Sequence, residues 1–240
     1  MATTSEKLGR AFGWMSAPAF AAIAALRHAR VFHPVGDLLE GRLEASPVDE
    51  ADRPIAEALS GRLLVRFSGA LWKRRTSPLP DVLGCALRVR GDGRPDQDLL
   101  FATIRRPWTM GFSPFTTRID DYLANHYFAV SPFTAGDRGG RFYLRLRPET
   151  QPREGGTRRD RLAGALSEGP IEIALETSER PFGPWRKLAT VRLERFAETV
   201  DPALRFDPFA NGRGIEPRGL VHALRRGAYA ASQAARLAFA

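Results

Sequence analysis

From Val31 onward the chain alternates apolar and polar residues with a period of two, which predicts strands half buried on one face. Val31–Ala45 has a turn-prone Gly36-Asp37 at its centre and alternates afterwards through Leu39, Gly41 and Leu43. Strand-like runs follow at Arg62–Phe67, Cys85–Val89, Leu99–Ile104, Arg141–Leu146, Ile171–Glu176 and Leu188–Leu193, about seven or eight in all. RFYLRLR and IEIALE alternate most cleanly, as expected of antiparallel strands with one wet face. Gly91–Asp96, Thr134–Gly140 and Thr150–Asp160 are rich in turn formers and predict loops. Ile119–Tyr127 predicts a helix with Asp120 and Asp121 in its first turn, and Leu220–Ala240 predicts a second, alanine-rich one. Many antiparallel strands with peripheral helices give an α+β barrel or sandwich.

The N-terminal stretch Ala11–Leu26 is apolar but broken by Pro18 and closed by Arg27 and Arg30. It is too short for a membrane-spanning helix. An entry helix packed on the barrel is preferred over a targeting segment or a membrane-surface contact. Residues 1–28 then form an arm, and residues 29–240 a single domain.

Composition narrows the chemistry further. The chain has 240 residues and is 43% hydrophobic, ordinary for a folded domain. Its net charge of +9, carried mainly by arginine, suits an anionic ligand or surface. The arginines are spread along the sequence and no nucleic-acid-binding motif is present, so nucleic acid is not an expected partner. Cys85 is the only cysteine, which excludes an internal disulfide and a multi-cysteine zinc site. A cytoplasmic location fits that usage. His28, His33, His126 and His222 fall into no zinc-hydrolase spacing. No phosphate-binding glycine loop occurs in a strand-to-helix context.

The last helix is informative by spacing alone. Arg225, Tyr229, Ser232 and Arg236 share one stripe, surrounded by alanine and glycine. Taken by itself that stripe reads first as a packed tyrosine ring with cations nearby.

The wider sequence resembles the haem catalase superfamily. ARVFHPVG (29–36) resembles the distal-histidine strand of catalases, and LVRFSG (64–69) their VRFS segment. Asp81 and Gly84 before CALRV are similar to their DPRG and the strand after it, and QDLL (97–100) to the next strand. The run from Glu172 through Phe196, with Trp185, resembles the later barrel strands. RFDPFANGRGIEP (205–217), then an RxxxY pair and a further arginine, is similar to the segment entering the haem-ligand helix.

The resemblance implies an eight-stranded antiparallel barrel with peripheral helices and a C-terminal haem-ligand helix, holding haem b and its iron. Tyr229 corresponds to the proximal iron ligand, and Arg225 to the cation that stabilises its phenolate. Arg30, Arg66 and Arg236 correspond to the propionate-binding arginines, His33 to the distal histidine and Ser68 to the serine that orients it. Phe115 is the candidate aromatic on the distal face. Each of these residues also has an ordinary structural reading: His33 as a core histidine, Arg66 as a surface charge.

Three departures shape the expected activity. Where the family carries a distal asparagine, four residues after Asp98, this chain has Ala102, followed by Thr103. Poor dismutation of hydrogen peroxide is therefore expected. Tyr229 falls one residue early relative to GIEP, which requires a one-residue deletion. The chain is also shorter than a full catalase, as in peroxidase-like and allene-oxide-synthase-like relatives. In the latter a threonine precedes the distal histidine, where this chain has Phe32.

The leading expectation is a haem peroxidase acting on hydrogen peroxide or organic hydroperoxides with an electron donor, as a homodimer. A haem-binding or sensing module with negligible turnover is the second reading. A haem-free barrel with a basic, anion-binding surface is the third.

Overall fold

The computed structural model describes residues 35–70, 79–91, 93–105, 112–129, 131–136, 138–198 and 204–219. The expected N-terminal and C-terminal helices lie outside the described residues, as do Arg30, His33, Arg225, Tyr229 and Arg236.

Ten strands are present among the described residues: β1 Val35–Ala45, β2 Gly61–Gly69, β3 Leu83–Arg90, β4 Gln97–Ala102, β5 Tyr127–Phe128, β6 Phe133–Ala135, β7 Arg138–Pro148, β8 Ile171–Ser178, β9 Arg186–Phe196 and β10 Ile215–Pro217. Eight of them pair antiparallel around a ring, β1-β2-β3-β4-β5-β7-β8-β9, which closes where β9 meets β1. Closure leaves the ring no unpaired edge. The short strands β6 and β10 extend the sheet beside β7. Among the described residues three α-helices lie at the periphery: α1 Arg53–Leu59, α2 Ser113–Thr116 and α3 Arg158–Glu168.

The period-two pattern sorts the side chains. Leu39, Leu43, Val65, Phe67, Cys85, Leu87, Leu99, Leu144, Leu146, Ile173, Leu175 and Val191 point inward and form one buried cluster. Phe67 stacks on Tyr122 with ring centroids 5.0 Å apart. The Tyr127 hydroxyl donates to the Tyr122 carbonyl at 2.7 Å. Burial holds the Tyr127 phenol and the Cys85 thiol well above their ordinary pKa values, so both stay neutral. With its interior filled by side chains, this barrel presents its outer wall to any large ligand.

Four expectations are corrected. Gly36-Asp37 is not a turn but lies within β1, one continuous strand of 11 residues. A Cβ on Gly36 would sit 2.3 Å from the Phe67 carbonyl oxygen, so glycine serves close strand approach here rather than reversal. Ile119–Tyr127 is not a helix but a series of turns leading into β5. There Asp121 accepts from the Leu123 and Arg153 amides at 2.7 and 2.9 Å, and the Asn125 side chain holds both backbone groups of Arg118. Such side-chain bonds offer the backbone an alternative to helix.

The expected loop 134–140 is largely a hairpin, with Phe133 opposite Phe142. The expected loop 150–160 ends in α3, whose first turn is a capping box. Thr157 Oγ1 accepts the Asp160 amide, and Asp160 Oδ2 accepts the Thr157 amide at 2.8 Å. TRRD just ahead of an apolar run was the readable signal for that helix.

One close approach is directly testable. At Gly41, where β1 shifts register against β9, a Cβ would lie 2.0 Å from the Arg192 carbonyl oxygen. Gly41→Ala should cost roughly 1–3 kcal/mol, because backbone rather than a side chain must yield. A urea midpoint indistinguishable from that of the parent protein would contradict this.

Candidate functional site

The outer wall of β1–β4 carries side chains quite unlike the rest of the barrel surface. By register, Gly36 faces Ser68, Ser68 faces Gly84, and Gly84 faces Ala102. All four point outward, since their sequence neighbours Phe67, Cys85 and Phe101 point in. The row continues to Phe128 on β5 and Arg145 on β7. One pleat away runs a second row, Leu38, Arg66, Ala86 and Leu100. Together these residues form a low shelf, smooth and mostly apolar, three strand spacings or about 14 Å wide. Ala70, Val82 and Ala102 pack as a small buried cluster at its end, with Ile104 against them.

Two of the expected site residues belong to this shelf. Ser68 is buried, in the row of small residues. Arg66 is half-buried one pleat along, and a Cβ on Gly36 would fall 3.1 Å from its Nε. The strand that continues from His33 in sequence is thus packed directly against the strand bearing Arg66 and Ser68.

Phe115 lies on α2, which is tied to the end of β4 through Thr117 and Thr103. Phe115 is 75% exposed and Phe112, three residues before it, 74%. His33, Arg30, Arg225, Tyr229 and Arg236 lie outside the described residues.

Ala102 stands in the shelf row beside Gly84, and Thr103 next to it is already engaged. Thr117 Oγ1 donates its one proton to the Ser113 carbonyl at 2.8 Å. Thr103 Oγ1 must therefore donate to Thr117 Oγ1, 2.8 Å away, while accepting the Leu83 amide at 3.1 Å. That hydroxyl has no second proton to offer the shelf. The wall at this position is a methyl group.

The RFDPFANGRGIEP segment is fastened to β4 and its surroundings. Asp98, buried, accepts Arg88 Nε and Nη2 at 2.7 and 2.6 Å, and the Asp207 amide at 2.6 Å. The Gln97 side chain donates to the Ile215 carbonyl and accepts the Arg213 amide. The Arg213 guanidinium, also buried, donates to the carbonyls of Ala58, Ser60 and Gly91. QDLL and RFDPFANGRGIEP, far apart in sequence, are therefore one structural unit, which leads the chain towards residue 220.

Sequence reasoning gave no role to His126. It sits just before Phe128, with its ring edge-on to that phenyl at 6.5 Å between centroids. Partial burial, and then the Arg145 charge, hold its pKa below the ordinary value, so it is neutral at neutral pH. Phe128 also meets Trp185 edge-on at 6.2 Å, and the Arg145 guanidinium lies 4.7 Å over the Trp185 ring. Only strand pairing brings these groups to one side of the shelf. Their separation in sequence gave no cue.

The described residues fit a flat, largely apolar group with an anionic edge. Small side chains supply a level seat, Leu38 and Leu100 its apolar flanks, and Arg66 a charge-assisted partner for a carboxylate. A haem meets that description.

No protein-family model and no curated protein matches the chain in sequence. Its fold, however, is similar to solved catalases. A fungal catalase aligns with TM-score 0.64 at 13% identity, over 90% of this chain and 62% of that one. A bacterial catalase gives 0.60 at 14% identity, over 90% and 60%. Catalase A from Saccharomyces cerevisiae gives 0.59 at 13%, over 90% and 63%. The chain spans about three fifths of the length of these catalases. What the chain shares with them is the fold, a catalase-like closed barrel of eight antiparallel strands.

Proposed function

We propose that this protein is a haem-dependent peroxidase acting on hydrogen peroxide or organic hydroperoxides, with weak catalase activity. The observation that carries this reading is the shelf. Strand register aligns four segments that resemble catalase motifs, so that Gly36, Ser68, Gly84 and Ala102 form one outward row with Arg66 alongside. Such a row is of no use to the barrel core and suits a planar ligand.

Haem, when bound, would supply a ferric iron able to coordinate a peroxide oxygen and to give up the two electrons that cleave the O–O bond, which an electron donor then returns. The remaining roles belong to the chain. The Tyr229 phenolate would hold the iron, and Arg225, four residues earlier in sequence, would favour the ionised phenol. Arg30, Arg66 and Arg236 neutralise the propionates, and Phe115 covers the distal face. His33 takes a proton from one peroxide oxygen and returns it to the other, work suited to an imidazole. Ser68 fixes the orientation of that ring. With a methyl at position 102, the pocket offers small peroxide one polar partner instead of two. This favours hydroperoxides that bring apolar surface of their own.

The engaged Thr103 hydroxyl also gives some support to a second reading, a haem-binding or sensing module with negligible turnover.

Tyr229→Phe should lose haem or shift its spectrum, with the circular dichroism of the barrel unchanged. An unaltered Soret band and unaltered charge-transfer bands would remove Tyr229 from the ligand role. In the same assay Arg66→Ala should weaken haem binding roughly ten- to a hundredfold, the value of one charge-assisted partner. Arg141, exposed on β7, is the control. Arg159 is unsuitable as a control, because it pairs with a buried carboxylate.

A further inference from the structure

Charged residues that face each other across the described strands carry opposite signs, with one exception. Glu40 meets Arg195, Arg88 meets Asp98, and Arg145 meets Glu176. Glu172 meets Arg192, and Glu176 meets Lys187. The exception is a single row across four adjacent strands. Arg192 on β9 faces Arg42 on β1, Arg42 faces Arg62 on β2, and Arg62 faces Arg90 on β3. Like charges directly opposite are destabilising in a sheet, and here three such pairs are consecutive. All four arginines point outward, since their sequence neighbours Val191, Leu43, Leu63 and Val89 belong to the buried core.

The row has defined ends. On β8, Glu172 Oε1 lies 3.4 Å from Arg192 Nη1, and just before β4, Asp96 Oδ2 lies 3.6 Å from Arg90 Nε. Between these ends Arg42 and Arg62 are exposed and form no ion pair among the described residues. Glu44, also exposed, lies two residues beyond Arg42 and opposite Thr190, beside the row and not in it. On the other side the next outward row is Glu40, Leu64 and Arg88, whose charges already pair with Arg195 and Asp98. The free positive charge is thus concentrated at the centre of a strip three strand spacings, or about 14 Å, wide.

We propose that this row docks an acidic helix of a partner protein, laid across β9, β1, β2 and β3 with its carboxylates one turn apart. The site uses none of the residues assigned to haem. A single anion on exposed arginines gains little, so the ligand must engage several of them at once. A helix presents one face every 5.4 Å, which over three turns departs from the row by about 2 Å, within the reach of an arginine side chain. Side chains on one face of an extended strand recur at about 6.7 Å and fall out of step by about 6 Å. A nucleic acid or an anionic bilayer continues past both ends of the row, where Glu172 and Asp96 oppose it. Arginine's planar fork suits a carboxylate, which it can bind in two-point fashion.

The test measures, by fluorescence anisotropy in low salt, binding of a labelled, stapled helical peptide with glutamates at i, i+4, i+7 and i+11. A second stapled peptide has the same composition with its glutamates spread round the helix. The proteins are the parent, the double variant Arg42→Thr with Arg62→Thr, the same pair changed to lysine, and Arg141→Thr as the control. The parent should bind the first peptide at least tenfold more tightly than the second and release it in about 0.5 M salt. The threonine pair should weaken binding at least tenfold. The lysine pair should weaken it only a fewfold, because charge remains while the fork is lost. Arg141→Thr should leave it unchanged. Without peptide, the threonine pair should have a urea midpoint no lower than the parent's, because it relieves repulsion and favours the strand.

No binding by the parent, or equal binding of the two peptides, overturns the proposal. So does a threonine pair that binds like the parent, or one with a lowered urea midpoint, which would make the row structural. Duplex DNA or phosphatidylserine vesicles that bind as tightly as the first peptide overturn the choice of an acidic helix.

Discussion

Asp98→Ala should destabilise the protein by about 3–5 kcal/mol, the cost of removing one partner from a buried ion pair. The Asp98 side chain is fully buried and that of Arg88 is 14% exposed, so neither has water to fall back on. Loss of the carboxylate leaves the guanidinium with the Arg205 carbonyl but no close counter-charge, and strands the Asp207 amide. Asp96, 3.8 Å from Arg88, offers partial relief and places the effect near the lower end of that range. The damage should be local as well as global. Residues 204–214 are held to β4 mainly through Asp98 and Gln97, so limited proteolysis should open there first. A denaturation midpoint shifted by less than the equivalent of 1 kcal/mol would mean that Arg88 finds another partner.

Ala102→Asn should raise oxygen evolution from hydrogen peroxide, by up to a hundred- to a thousandfold in haem-loaded protein. That is the range for a polar partner engaged mainly in the transition state, about 2.7–4 kcal/mol. The substitution adds an amide to the outward row beside Gly84, in line with Ser68. Thr103 does not already fill this role, because its single proton is committed to Thr117. His33→Ala should abolish the peroxidase activity proposed for the parent protein. An oxygen electrode and a chromogenic hydroperoxide assay check the two arms. Parent protein that evolves oxygen as fast as a full catalase, or a His33→Ala variant with full peroxidase activity, would sink the assignment of these positions.

The barrel strands were legible because each buries one face and wets the other. Arg62–Phe67 became Gly61–Gly69, and Ile171–Glu176 became Ile171–Ser178, longer at their ends but alike in parity. The failures share a different cause. Ile119–Tyr127 has helical spacing, but Asp121 and Asn125 bond to nearby backbone and win locally. Gly36-Asp37 reads as a turn on composition, yet the partners that keep it extended, Phe67 and Arg159, are distant in sequence.

By itself the sequence determined that the fold is α+β with many antiparallel strands, and which face of each strand is buried, because period-two alternation is a local property. It also placed Ala102 where the resemblance to catalases leads one to expect an asparagine, by counting along one strand. Only the tertiary structure decided that Gly36, Ser68, Gly84 and Ala102 form one surface, and that the Thr103 hydroxyl is spent on Leu83 and Thr117. It alone decided that Arg159, in what reads as a loop, neutralises a carboxylate 122 residues away. Those facts depend on strand register and on which buried polar group reaches which partner. Both are settled by the closure of the whole barrel, through contacts that no stretch of sequence contains.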